Sequence, residues 1–384
     1  PSIFMTTSPR NSPATGSGNA SESRTTIVDT DIHHAVSSDA DLLPYLGPVY
    51  RERLQNFGGT GAASHWFNNG GVQGHRSDLP ETALRGAAVC DVDVLIRDHL
   101  DRYDIDHGLL TGLSVYGASV WPDVDYGSAL CAAFNDYTIE HWLSKDSRLR
   151  FAIAVCSQDP IGAVREIERL AAHPQVVGVL LPTGAPKPFG NRFYDPIHAA
   201  CEAHGLVPTL HLGTEGLATV GPPTAAGWPS HYVESRLARP GVYQAHLASM
   251  IFQGTFEKFP RLRVAFLECG IGWLPAFLWQ MDADWKALRY QTPWVKRLPT
   301  EYVQEHVRFN SQPLVEPPSP RVVDQILEWI HADRTLMFGS DFPHFDFDDP
   351  RHTFKHTEPA LRRRIFSETA AGTFDLAKGN VTRP

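Results

Sequence analysis

Residues 27–36 read IVDTDIHHAV. Two β-branched residues run without a turn signal into carboxylates and imidazoles, as at the end of a buried strand that delivers polar groups to a site. Side chains alternate across an extended chain, which places Asp29, Asp31 and His33 on one face and turns His34 to the other. Asp31 and His33, separated by one residue, then reach the same space beyond the strand's C-terminal end, where a divalent cation would bridge them. The competing reading of so short a motif is a surface Asp beside a capping His, and the motif alone does not decide.

Outward from this strand, short runs rich in Val, Ile, Leu and Phe recur at 105–111, 150–155, 176–181, 207–211, 263–268, 307–310 and 335–338. Amphipathic stretches separate them, with helices expected at 160–172, 195–204, 247–259 and 320–330, each ending near a Gly, His or Pro. Together with a first strand at 26–31 this gives eight strands alternating with helices, the pattern of a parallel sheet and the number that closes a barrel. The expected fold class is therefore α/β, a (β/α)8 TIM-like barrel. Residues 44–84, with Gly59, Gly61, Gly70, Gly71 and Gly74, and residues 212–239 are too long for tight βα loops. They read as insertions over the C-terminal face of the barrel.

Composition sets the surroundings. The chain has 384 residues, of which 26–384 fit one elaborated barrel, while residues 1–25 are rich in Ser, Thr, Gly, Pro and Asn. That first segment has no apolar centre and is expected to be a flexible tail rather than a signal peptide. Hydrophobic residues make up 42% and charged residues 20%, and no apolar run approaches membrane-spanning length. With 34 basic against 43 acidic residues, interspersed, the net charge of −9 offers neither nucleic acid nor an anionic membrane a basic surface. Five scattered cysteines, Cys90, Cys131, Cys156, Cys201 and Cys269, form no C-x-x-C pair, so disulfides and a structural zinc are not expected and a cytoplasmic setting fits. A polar tail holds a fixed course only against another surface, which makes a homo- or hetero-oligomer the expectation.

Two further segments bear on the chemistry. In VPTLHLG, His211 ends an apolar strand, and in a barrel that edge is where active sites are built. In TLMFGSDFPHFDFDDP, Asp341 follows the eighth expected strand, where a carboxylate can bind a cation and accept a proton. Taken singly, His211 reads as a structural histidine and Asp341 as a helix N-cap.

The sequence resembles the amidohydrolase-related branch of the amidohydrolase superfamily, which includes amino-carboxymuconate-semialdehyde decarboxylase and the dihydroxybenzoate decarboxylases. Five blocks carry the likeness in the family's order: DTDIHH, FYDPIHAACEAHGLVPTLHLG, SMIFQGTFEKFPRLRVAFLECGIGWLP, EHVRFNSQP and LMFGSDFPH, between residues 27 and 349. The resemblance implies that Asp31 and His33 are the first-strand metal ligands, His211 the fifth-strand ligand and Asp341 the eighth-strand carboxylate. It implies one divalent ion, Zn, Mn or Fe, and leaves room for a second. There are two departures. Glu268, in LECGIGW, stands where the best-known decarboxylase has a catalytic His, and Thr369-Ala370 replaces a common Asn-Ala pair.

Glu268 with a raised pKa would do proton work, or it would pair with an Arg or a backbone group. His246, in YQAHLASM, is a further candidate for catalysis against a structural reading, and His344 is close enough to Asp341 to orient it. Gln312 is placed to reach a substrate. Trp66, Trp273, Trp285 and Trp294 read as core packing.

A small-molecule substrate and no nucleic-acid or membrane partner are expected. The leading function is non-oxidative decarboxylation of a small carboxylated substrate, favoured by the acidic first ligand Asp31, with Asp341 or Glu268 as proton donor. The alternatives are a metal-dependent hydrolase of lactones or amides, and a subunit of an iron- or manganese-dependent oxygenase, catalytic or supporting.

Overall fold

A computed structural model describes residues 26–57, 76, 79 and 88–376. The expectations for the tail 1–25, for Trp66 and for the glycines between 59 and 74 lie outside the described residues.

The eight strands are β1 (Val28–His34), β2 (His107–Gly112), β3 (Leu149–Ala154), β4 (Val176–Pro182), β5 (Val207–His211), β6 (Val264–Leu267), β7 (Val307–Asn310) and β8 (Leu336–Met337). They pair in parallel in the order β1 to β8. The sheet closes on itself where Thr30 N and Oγ1 donate to Phe338 O at 3.1 and 2.7 Å and His33 N donates to Phe342 O at 2.8 Å. The fold is a (β/α)8 barrel, and the segment after β8 completes its wall.

Alternation along the strands sorts the core into two layers. Leu109, Ala152, Leu180, Val207, Ala265, Leu267 and Met337 form one buried cluster with Ala370, Phe374 and Leu376. These small and branched side chains fill the barrel interior. The C-terminal helix Thr369–Thr373 plugs its lower end, where Arg263, just before β6, donates to Gly372 O. Intervening residues such as Leu110, Phe151, Ile153, Val179, Leu210 and Phe266 join the larger cluster beneath the helices. Strands buried on both faces explain why the sequence shows continuous apolar runs rather than a polar alternation.

The helices start and stop where local chemistry dictates. Asp159 caps Pro160–Leu170 by accepting from Gly162 N at 2.9 Å, with Pro160 pre-set for the first turn. Gly205, at φ 67°, ends Asp195–His204 in a left-handed turn that a residue with a Cβ adopts only at a cost. One expected helix differs. Instead of 247–259, the chain forms Tyr232–Phe252, breaks at Gly254 (φ 71°), and resumes as Thr255–Lys258. Pro240 and Gly241 read as breakers, yet the helix runs through them, so the second insertion shortens and Arg236 and Arg239 become helical. The first insertion also begins with helix, at Pro48–Phe57.

One expectation about β1 fails. Between Asp29 and Ile32 the strand takes three steps while β2 takes two, from Gly108 to Leu110. The extra residue is a β-bulge, which reverses the alternation. Asp29 therefore leaves the face of Asp31 and His33, accepting from Ser340 N at 2.9 Å and lying 2.7 Å from His99 Nε2.

Candidate metal centre

Asp31, His33, His211 and Asp341 meet at the C-terminal mouth of the barrel, all buried. His33 Nε2 lies 2.8 Å from Asp341 Oδ1 and 3.8 Å from Asp31 Oδ1, and His211 Nε2 lies 3.2 Å from Asp31 Oδ1. Ligand atoms about 2.1 Å from one ion stand roughly 3.0–3.4 Å apart, so these donors are spaced as a coordination shell. Candidate ligand atoms of Asp31, His33 and His211 all lie within 4.8 Å of one another.

The second ring nitrogens show which atoms are free to ligate. His211 Nδ1 is 2.7 Å from Leu212 O, which fixes its proton there and leaves Nε2 as a lone-pair donor. His33 Nδ1 is 3.1 Å from Thr111 Oγ1, a neighbour able to accept its proton and free Nε2 in the same way. Charge points the same way. Among the described residues, no lysine or arginine bridges Asp31 or Asp341, whose ion-pair partners are histidines. Two carboxylates removed from water need positive charge beside them, which protonated His211 and His344 supply in the metal-free chain and a divalent ion would reinforce. The donor set fits one divalent ion.

Burial opposes charging of His211, but the Asp31 carboxylate and then Glu268 outweigh it and raise its pKa to about 9. His344, whose Nδ1 lies 2.7 Å from Asp341 Oδ1, is likewise disfavoured by burial and raised to about 9 by Asp341. His33 is driven the other way, to about 3, by burial and by the charge of His344.

Residues 92–376 match the amidohydrolase family. The chain belongs to this family. It is 24% identical to a gamma-resorcylate decarboxylase of Polaromonas sp. over 311 residues, covering 73% of this chain and 88% of that one. In fold it is similar to a dihydroxybenzoic acid decarboxylase of Polaromonas sp. solved with manganese and the inhibitor 2-nitroresorcinol (TM-score 0.64, 17% identity, 94% of this chain and 100% of the other). It is also similar to a 5-carboxyvanillate decarboxylase of Novosphingobium aromaticivorans complexed with manganese and 4-hydroxy-3-methoxy-5-nitrobenzoic acid (TM-score 0.67, 19%, 92% and 97%).

In this amidohydrolase the residue after β6 is built into an ion pair. Glu268 accepts from Arg239 Nη1 at 2.5 Å and places Oε2 3.6 Å from His211 Nε2. Arg239 also donates to Tyr232 OH at 2.9 Å, and Arg236 pairs with Asp346. Besides the groupings of Asp31, His33 and His211 and of His33, Asp341 and His344, Glu268, Asp341 and Asp346 offer atoms within 4.8 Å of one another. An ion there would have to compete with Arg239 and Arg236, which already neutralise two of its three carboxylates. Glu268 and Asp341 both take positive φ, 50° and 62°, a conformation costly for residues with a Cβ and concentrated at functional sites.

His246 does not join the cluster. Its Nε2 is 2.8 Å from Thr183 O, Phe189 N donates to its Nδ1 at 3.1 Å, and its ring stacks on Phe189. Burial lowers its pKa to about 4, so it is a neutral clamp on the loop after β4. His34 turns away as expected, to Thr138 Oγ1 at 2.9 Å. Gln312 donates to Asp341 Oδ2 at 3.0 Å, while its Oε1 is buried without a hydrogen-bond partner.

The sequence reading passed over Thr111, Tyr116, Asn310, Arg239 and Asp346. Asn310 ends β7 and Thr111 lies near the end of β2, positions that point into a barrel mouth, and that was the available signal. Arg239 was hidden by the following Pro-Gly, and Asp346 by the run of acidic residues around it.

Proposed function

We propose that this amidohydrolase is a non-oxidative decarboxylase of a small aromatic carboxylic acid, using one divalent ion held by Asp31, His33, His211 and Asp341. The observation that carries the reading is the four-donor cluster with a carboxylate in its first position. The named activities of the relatives support the substrate class, and manganese in two of them favours that ion over Zn or Fe. When bound, the ion supplies a Lewis-acid anchor for the substrate's carboxylate and a neighbouring oxygen.

The reaction breaks the bond between the ring carbon and the carboxylate. Its electron pair stays on the ring carbon, which takes up a proton as carbon dioxide leaves. Asp341 is the better placed proton carrier. Its Oδ1 is hydrogen-bonded to His344, an imidazole whose pKa the Asp341 carboxylate raises and which can resupply the proton. Glu268 is instead paired with Arg239 and orients His211 and the helix above the mouth.

The Glu268–Asp341–Asp346 grouping would suit a second ion and with it the oxygenase, but Arg239 and Arg236 already pair with two of its three carboxylates. The test is to load the full chain with manganese, supply 2,6-dihydroxybenzoate and 5-carboxyvanillate in deuterated water, and follow carbon dioxide release. One solvent deuterium on the vacated ring carbon is expected. Turnover of lactones or amides without carbon dioxide release, or oxygen consumption by the iron-loaded chain, would replace the reading.

A further inference from the structure

The loop after β2 brings an aromatic hydroxyl to the same mouth. Tyr116 is only 7% exposed, and its ring lies 5.5 Å from that of His211. Burial first, and then the charges of Asp31, Glu268 and Asp341, raise the pKa of its phenol, so the group stays a neutral O–H donor. The hydroxyl of Thr111 stands beside it. That group is engaged by His33 Nδ1 at 3.1 Å and with Asp31 Oδ1 at 3.4 Å, and the Tyr116 oxygen makes no hydrogen bond of acceptable geometry. Buried hydroxyls without a partner are rare, and one aimed at a ligand site is explained by a ligand that completes it.

The surrounding chain is shaped to hold this ring. Gly213, two residues beyond His211, has φ +147°, and a Cβ there would sit 2.3 Å from Tyr116 Cδ2. The backbone leaving β5 thus lies flat against the phenol, and the absence of a side chain is what admits it. The ring is thus held between this backbone and the His211 imidazole, and its hydroxyl is buried without a partner.

We propose that Tyr116 is a substrate-positioning residue that donates its O–H to an oxygen of the bound substrate, a carboxylate or ortho-hydroxyl oxygen of a hydroxybenzoate-type acid. The inference rests on the decarboxylase reading for the identity of that acid, but needs only an oxygen-bearing aromatic ligand at the centre. A neutral donor holds an anionic oxygen in line without adding a further charge to a mouth that already carries three carboxylates.

The experiment compares the manganese-loaded wild type with Tyr116→Phe, using 2-nitroresorcinol binding by calorimetry, carbon dioxide release from 2,6-dihydroxybenzoate, and metal content. Expected are wild-type manganese content and melting temperature, a loss of probe affinity of about 10- to 100-fold, and a rise in KM of similar size with kcat changed far less. Equal probe affinity in the two proteins overturns the proposal, as does loss of manganese from Tyr116→Phe. Tyr116-dependent probe binding without carbon dioxide release upholds the proposal and removes the decarboxylase reading. A wild type that binds no probe removes both. Gly213→Ala, which drives the ring from its place, is expected to reproduce the loss of probe affinity while Tyr116 keeps its hydroxyl.

Discussion

Asn310 Nδ2 donates to Asp31 Oδ2 at 3.1 Å, tying the end of β7 to the candidate ligand on β1 at the barrel mouth. The same amide accepts from Glu268 N at 2.9 Å through Oδ1. One side chain therefore sets both the first carboxylate of the metal centre and the backbone of the residue in the positive-φ turn after β6. Gly339 makes room for it, since a Cβ there would fall 2.4 Å from Asn310 Nδ2 and 3.2 Å from Asp31 Cβ. Either Asn310→Ala or Gly339→Ala is expected to weaken manganese binding by roughly 10- to 100-fold, the usual consequence of losing a group that orients a ligand. Competition titration against a chelator measures it, and wild-type affinity in both variants would show that Asp31 needs no such support.

Asp341→Asn keeps the size of the side chain but cannot carry the proton. At saturating manganese its kcat is expected to fall by roughly 10²–10⁴-fold, the range for loss of a general acid or base. Glu268→Gln should cost less, because Glu268 acts through Arg239 and His211 rather than on the substrate. The comparison of the two initial rates of carbon dioxide release decides it. Equal losses would make Glu268 the proton carrier and Asp341 only a ligand.

Much of this site was legible because a barrel converts strand order into geometry. Once eight strands are recognised, the residues at their C-terminal ends must converge; that made Asp31, His33, His211 and Asp341 candidates, and the family resemblance singled them out as a set. The errors have equally local causes. Period-two alternation misplaced Asp29 because a bulge adds one residue that no pattern of residue types announces. Arg239 was missed because Pro240-Gly241 is normally a break, yet the helix runs through it, anchored downstream by buried Tyr243, His246, Leu247, Met250 and Ile251. His246 stood as a catalytic candidate because a buried imidazole shows in sequence while the carbonyl that occupies it, Thr183 O, does not.

Asp29 and Asp31 are two residues apart and should fail differently. Asp29 is bound by Ser340 Oγ at 2.5 Å and lies against His99 Nε2, groups that have no water to turn to. Asp29→Ala is expected to destabilise the chain by about 3 kcal/mol while leaving one manganese per chain. Asp31→Asn is expected to lose the metal, and its cost to the metal-free protein should fade as pH rises through about 9, where the His211–Asp31 pair is already lost. Urea unfolding and elemental analysis on both variants test the pair. Loss of metal from Asp29→Ala in the folded state would mean that the bulge does not separate their roles.

Protons and the metal compete for His211, and the sign of the competition is fixed by its raised pKa. In the metal-free chain the folded-state value is about 9, against an ordinary 6.5. The protonated His211–Asp31 pair therefore contributes stability that is complete below about pH 6.5 and lost as pH rises through about 9. His344, also raised to about 9, acts in the same direction, whereas His33, at about 3, stays neutral throughout this range. Manganese must displace the His211 proton, so its apparent affinity should rise by about tenfold per pH unit from near neutrality and level off near pH 9. Over the same interval the melting temperature of the metal-free chain should fall. Calorimetric titrations at pH 7.5 in two buffers of different ionisation enthalpy should report about one proton released per manganese bound. A pH-independent affinity would mean that His211 is already deprotonated in the free protein, and that Asp31 holds it as a neutral ligand before the ion arrives.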